Sequence, residues 1–351
     1  MRPYANDTRE REMKRPRYRW MALFAALLLV VAACGDGDDT GSDDTSSDDT
    51  TSGDDTFRIA IVAPSASNDL AFTQSIVDAV DVIADEMGNV DVQITDGTFV
   101  VEDAAAAIRG YAEDGVDLVI AHGSQYGGSL EEIAPDFPDT VFAWGTAADT
   151  FGLSNVFSYE AASDEGGYVM GVMAAALSES GIIGVVGPIE VGDAKLYVDG
   201  FHVGALAEDS AATVNINYTG SFSDVALASE AAQSHLAAGA DVLTGTAQMV
   251  VGAVGVADEN GLLWFGTQAN QTSLAPDIVV ASQVYHWEVV LRDIIAKIED
   301  GVLGGEIYEI NLANDGLVIE FNDGFTLPAD VRAKADAAIA GIESGSISTG
   351  S

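Results

Sequence analysis

Four short segments of this 351-residue chain occur twice, in the same order and at a near-constant separation. Arg58-Ile-Ala-Ile-Val-Ala-Pro64 is echoed by Ile182-Ile-Gly-Val-Val-Gly-Pro188, with 124 positions between the prolines. Val92–Phe99 returns as Val214–Phe222, and Glu113–Ile120 as Ala237–Thr244, with Asp117 and Asp241 again 124 apart. Val141-Phe-Ala-Trp-Gly-Thr146 returns as Leu262-Leu-Trp-Phe-Gly-Thr267. A period this long is too large for a solenoid and implies two lobes built to one plan.

Within each copy, short β-branched runs alternate with helical patterns. Ile59–Val62 reads as a strand, followed by Ala71–Glu86, where Phe72, Ile76, Ala79, Val80 and Ile83 recur at helical spacing. Strand-like Val90–Thr95 precedes a helical Glu102–Ala112, and strand-like Asp117–Ala121 precedes Leu130–Ile133. This order predicts an α/β fold: two doubly wound parallel sheets with helices on both faces and right-handed crossovers. The strands lack polar alternation, as expected where both faces are buried.

In such sheets ligands bind beyond the carboxyl ends of the strands. The loops expected there are Pro64–Thr73, Asp96–Phe99, His122–Tyr126 and Gly145–Thr150 in one lobe. In the other they are Pro188–Leu196, Thr219–Asp224, Gly245–Met249 and Gly266–Gln271. Gly, Ser, Thr, Asn and Gln dominate them, with a few aromatics and few charges. They predict the wall of a cleft that closes on a small, neutral, partly aromatic ligand. A helix over Trp287–Asp300, then Ile307–Leu312 and Leu317–Asn322, is expected to cross between lobes and supply the last strands.

The expected divisions are residues 57–163 plus about 285–312 for lobe one and 164–284 plus about 313–342 for lobe two. Ala329–Ile342 reads as a last helix and residues 343–351 as a frayed tail.

Ahead of the body, residues 1–33 hold seven basic side chains and the apolar run Met21–Ala33. Thirteen helical residues rise roughly 20 Å, short of a ~30 Å hydrocarbon core, so this reads as a secretory signal. Val31-Ala-Ala-Cys34 resembles the bacterial lipobox, in which the cysteine is lipidated; Cys34 is the only cysteine. Residues 35–56 contain only Asp, Thr, Gly and Ser. With nothing apolar to bury, residues 34–56 are expected to form a lipidated, self-repelling tether.

The chain carries 14 basic and 56 acidic residues, a net charge of −42. Without residues 1–33 (seven basic, three acidic) the balance is 7 against 53, or −46. Such a surface repels phosphate backbones, which argues against nucleic acid as a partner. No metalloprotease, nucleophile-elbow, redox-cysteine or phosphate-loop motif is present. Gly187–Lys195 only approximates a phosphate loop: its lysine is displaced and Leu196 follows it. His202 and His235 fall on helices. His122 stands two residues from Ser124, with no third partner in view to complete a nucleophilic site. His286 lies at the crossover, either a cleft contact or a hinge residue. No catalytic set, cofactor or metal site is expected, and a monomer is.

The body resembles the basic membrane protein (BMP) family of ABC-transporter substrate-binding lipoproteins, whose characterised members include purine nucleoside receptors. The resemblance rests on Asn68–Gln74, His122–Pro138, Asp164–Gly171, Tyr218–Asp224 and Gly266–Gln271, and runs from about Arg58 to Asn322. It implies a type I periplasmic-binding-protein fold, a small-molecule ligand of purine type, ABC permease and ATPase partners, and a lipid anchor in the membrane. By motif position, Phe72 and Phe222 would sandwich the base, one ring from each lobe. Asn68, Asp69 and Gln125, beside Tyr126, would meet its edge. Gln248 lies in a loop that departs from the family's glycine-rich version. Gln268 stands where nucleoside binders carry a ribose-holding aspartate, and Tyr285 where they carry a lysine. Those replacements remove charge-assisted bonds to a sugar, leaving a nucleoside, a free base or another aromatic solute as the expected ligand.

Overall fold

The β-branched runs form strands because a pleated surface buried on both sides accommodates them better than a helix does. The computed structural model describes residues 56–350. The signal, Cys34 and nearly all of the tether lie outside the described residues. The chain runs β1 (Phe57–Val62), α1 (Phe72–Met87), β2 (Val90–Thr95), α2 (Val101–Glu113), β3 (Leu118–His122), α3 (Gly127–Ile133), β4 (Val141–Gly145) and β5 (Val156–Ala161). It continues through α4 (Ser163–Leu177), β6 (Ile182–Gly187), α5 (Gly192–Glu208), β7 (Thr213–Tyr218), α6 (Val225–Ala237), β8 (Val242–Gly245), α7 (Val251–Asn260), β9 (Leu263–Gln268) and β10 (Val279–Tyr285). Last come α8 (Glu288–Glu299), β11 (Ile307–Ile310), β12 (Leu317–Phe321) and α9 (Ala329–Glu343).

Two six-stranded sheets result, ordered β11-β5-β4-β3-β1-β2 and β12-β10-β9-β8-β6-β7. The four repeated segments become β1/β6, β2/β7, β3/β8 and β4/β9, in equivalent places of the two sheets. The first sheet is parallel throughout. In the second, β12 runs antiparallel to β10, because it enters directly from the other sheet without a crossover helix.

Successive residues of β1 show why alternation is absent from the sequence. Ile59 and Ile61 belong to one apolar cluster and Ala60 and Val62 to another, all with no exposed surface. Each of the isoleucine and valine side chains stabilises by about 1.5–3 kcal/mol when removed from water. Ile183 and Val185 of β6 share the first cluster, so one core runs beneath both sheets.

The chain passes between the sheets three times: from β5 into α4, from β10 into α8, and from β11 to β12. Helix α8 packs on α1 of the first sheet, and α4 packs on α5 and α9. The Tyr285 and Ser163 hydroxyls, 2.6 Å apart, tie two of the passages together. Trp287 Nε1 donates to Ser75 Oγ at 2.9 Å and fixes the second passage on α1. Among the described residues no helix is long and apolar enough to cross a membrane.

Candidate functional site

The loops at the carboxyl ends of both sets of strands surround one cavity of about 440 Å³. From the first sheet come Pro64, Phe72, Phe99, Val101, Ser124, Gln125 and Thr146. From the second come Ile189, Val191, Gly192, Asp193, Ala194, Phe222, Ala247, Gln248 and Gln268. A largely apolar wall with a few polar groups at this volume suits one small organic molecule.

Phe72 is the first residue of α1, and its place is set by Asp69. The Asp69 carboxylate accepts from the backbone N–H groups of Ala71, Thr73 and Gln74 at 2.9–3.2 Å, and from Ser65 Oγ at 2.6 Å. These bonds satisfy donors that a helix start leaves free. The Phe72 ring lies over the His122 imidazole, centroids 4.1 Å apart and planes 27° from parallel. His122 has no exposed surface; Tyr159 Oη lies 2.8 Å from its Nδ1, and its Nε2 lies 3.2 Å from the Phe72 carbonyl. A neutral imidazole meets both needs when Tyr159 donates to Nδ1 and Nε2–H donates to the carbonyl. Burial, opposed in part by the Phe72 bond, holds its pKa at about 3, so the ring is uncharged at neutral pH.

Phe222 is carried by a loop pinned at several points. Its carbonyl accepts from Met249 N–H, Ser221 Oγ accepts from the Ser223 and Asp224 N–H groups, and Asp224 caps α6 through Ala226 and Leu227. The turn needs φ of 81° at Gly220, a conformation open to glycine.

Phe72, Phe222, Gln125, Gln248 and Gln268 thus line one cavity. Tyr285 sits behind it, at a second cavity of about 270 Å³ that also borders Gln268, His286, Glu288 and Glu320. Of the other residues singled out by sequence, Asn68 is exposed, and both Asp69 oxygens are engaged in capping. Tyr126 is buried in the core, donating to the Thr98 carbonyl at 2.9 Å. None of these three lines either cavity. His286 is half-buried between Glu288 and Glu320, and the Glu320 bond raises its pKa. His235 is packed against the Val185 carbonyl.

Sequence reading missed Asp193. It lies in the first turn of α5, inside the expected cleft loop Pro188–Leu196 but not singled out there, and its position after the second copy's first strand was the available signal. Its Oδ1 accepts from Thr146 Oγ1, contributed by the other sheet, and its Oδ2 from Tyr285 Oη, both at 3.4 Å. Burial raises its pKa, opposed by hydrogen bonds from Thr146, the Ala194 N–H, Gln268 and Tyr285. Gln268 beside it is 2% exposed, has φ of 72°, and leaves Oε1 with no hydrogen-bond partner.

Residues 56–336 match the Bmp family, described as "ABC transporter substrate-binding protein PnrA-like". A purine-binding protein of Brucella abortus is 27% identical over 245 residues, 70% of this chain and 69% of its own length. The transcriptional activator protein med of Bacillus subtilis is 25% identical over 295 residues, 83% of this chain and 87% of its own. An ABC transporter solute-binding protein of Aeropyrum pernix has the same fold, with a TM-score of 0.73 at 22% identity, covering 83% of this chain and 92% of that one. With two duplicated sheets facing one cavity and a family match over most of its length, the chain belongs to the Bmp family of PnrA-like ABC transporter substrate-binding proteins.

Proposed function

We propose that this ABC solute-binding protein captures a purine-type solute, a nucleoside or a nucleobase, between Phe72 and Phe222. In this reading the two lobes close on the solute, and the loaded protein delivers it to permease and ATPase subunits from the extracytoplasmic face of the membrane, where a lipid on Cys34 holds it. The observation that carries the reading is that Phe72 and Phe222, from opposite sheets, line one cavity whose remaining wall is mostly apolar with amides at its margin. Stacking on an aromatic ring adds roughly 0.5–1.5 kcal/mol per pair beyond area burial. The side-chain amides of Gln125 and Gln248 can each donate and accept along a heterocycle edge. The purine-binding relative supports the same class of solute.

Thermal shift and titration calorimetry of the full chain in mild detergent, over nucleobases, nucleosides and unrelated solutes, test it. A purine compound should raise the melting temperature, and Phe72→Ala should weaken its binding. Small-angle scattering of the saturated sample should show a smaller radius of gyration. Indifference to every purine compound would end the purine reading, while an unchanged radius would end closure.

A second reading, a ligand sensor for a membrane signalling partner, is supported by the relative named as a transcriptional activator. Neighbouring genes for a permease and an ATPase would favour delivery; a lone signalling gene would favour sensing.

A further inference from the structure

Gln271 lines neither cavity and has no exposed surface. It lies in the loop after β9 and is tied first to its own lobe. Its N–H donates to Ser282 Oγ on β10 at 3.1 Å, and its Oε1 accepts from Trp264 Nε1 on β9 at 2.8 Å. Its Nε2 donates to the Thr267 carbonyl at 3.2 Å. Gly266 makes the room, since a Cβ there would stand 2.8 Å from Gln271 Oε1 and 2.9 Å from its Cβ. The side-chain amide is thus oriented by partners from the second sheet. An amide nitrogen carries two hydrogens, and the second goes across to the first lobe. It meets the Leu70 carbonyl at 3.2 Å, 201 positions away in the chain.

Leu70 belongs to the loop between β1 and α1, two residues before Phe72. Its φ of 53° is left-handed, a conformation that is costly for a side chain with a Cβ and persists only where the surroundings hold it. Its N–H donates to Gln74 Oε1 at 3.0 Å, so glutamine side chains from both lobes hold the two polar groups of this one residue. A glutamine that served only to satisfy the Trp264 indole would need an acceptor alone. Here the donor end leaves its own lobe and grips the turn that carries Phe72.

We propose that Gln271 is a positioning residue for capture. It latches the Leu70 turn, and with it the Phe72 ring, to the second lobe, so that a bound solute leaves only after this bond has broken. The latch acts on release and not on entry, because the bond exists only while the lobes are together. This deepens the solute-capture reading above and rests on it for the solute. The contact itself joins two segments of the chain and can be tested with no solute present.

Hydrogen–deuterium exchange on the ligand-free full chain, wild type against Gln271→Met, gives the first readout. Methionine is of similar size and removes both ends of the amide. Loss of the latch should speed exchange across Asn68–Gln74 in the first lobe as well as around Trp264 in the second. Faster exchange in the second lobe alone is what a purely structural role would give, and it overturns the proposal. The second readout is stopped-flow binding of whichever of adenosine, guanosine, adenine and guanine the wild type takes up. Release should quicken roughly 2- to 12-fold, the span of one neutral hydrogen bond, while entry stays within about twofold. Unchanged release, or an affinity lost through slower entry, overturns the proposal. If Gln271→Met does not fold, Gln271→Glu, which keeps an acceptor for Trp264, is judged by the same two readouts. If the wild type takes up none of the four compounds, the purine reading fails, and the exchange result alone upholds or overturns the latch.

Discussion

His122 shows how a residue that resembles a catalytic group is used as a support. Its imidazole lies under Phe72, bonds the Phe72 carbonyl and is held from the other side by Tyr159. Its folded pKa of about 3 lies below the ordinary 6.5. Below pH 6.5 the unfolded chain takes up a proton there that the folded chain refuses until about pH 3. The stability contributed by the neutral ring is therefore whole above pH 6.5 and lost progressively as pH falls toward 3. Between pH 7.5 and pH 5 this loss amounts to about 2 kcal/mol. His122→Gln keeps one donor and one acceptor but does not titrate. Urea unfolding at the two pH values should show the wild type losing about 2 kcal/mol more than the variant. Parallel pH profiles would contradict this account.

Among the elements, the pairing of α4 with α5 decides where Asp193 stands. Both helices carry glycines four apart, Gly167 and Gly171 on α4 and Gly200 and Gly204 on α5. A Cβ at Gly171 would meet the Phe201 carbonyl oxygen at 2.1 Å, and one at Gly204 the Tyr168 carbonyl oxygen at 2.1 Å. The backbones are in contact, and neither can retreat without moving the helix. Gly204→Ala should therefore destabilise by about 1–3 kcal/mol through overpacking, although alanine is the better helix former. It should also weaken ligand binding, since a displaced α5 carries Asp193 with it. Gly255→Ala in α7, where the added methyl meets nothing within 4 Å, should be neutral or stabilising by up to about 1 kcal/mol. Thermal melts of the two variants separate these cases, and similar behaviour in both would show that the close crossing is not the cause.

At the scale of the whole molecule, charge sets the relation to the membrane. From residue 57 onward there are seven basic and 44 acidic side chains. Six of the seven cations form an ion pair with an acid, and Arg58 bonds the carbonyls of Asp114 and Gly115. No surplus of positive charge remains to hold this body on anionic lipid, which would repel it. If the proposed lipid on Cys34 is the attachment, Cys34→Ala should move the protein from the membrane fraction to the soluble one after fractionation. Retention in the membrane fraction at both low and high salt would rule the anchor out.

The duplication, the strand runs and the helical periodicities determined the class of fold, because each is a local pattern repeated along the chain. Strand-end loops could be named for the same reason, since a doubly wound sheet sends every carboxyl end to one side; within those loops it was the family resemblance that pointed to Phe72, Gln125, Phe222 and Gln268. The antiparallel β12 was not, since a strand's direction depends on which sheet it joins and not on its own residues. Tyr126 and Asp69 share loops with cleft residues, yet one turns into the core and the other is consumed in capping α1. Asp193 was hidden in the opposite sense. An aspartate in a helix's first turn is ordinary in sequence, and only the meeting of α5 with Thr146 from the other sheet and Tyr285 from the crossover makes it, among the described residues, the acid lining the cavity. Local periodicity writes the elements into the chain, whereas the direction of a side chain and the company it keeps are properties of packing between segments far apart in sequence.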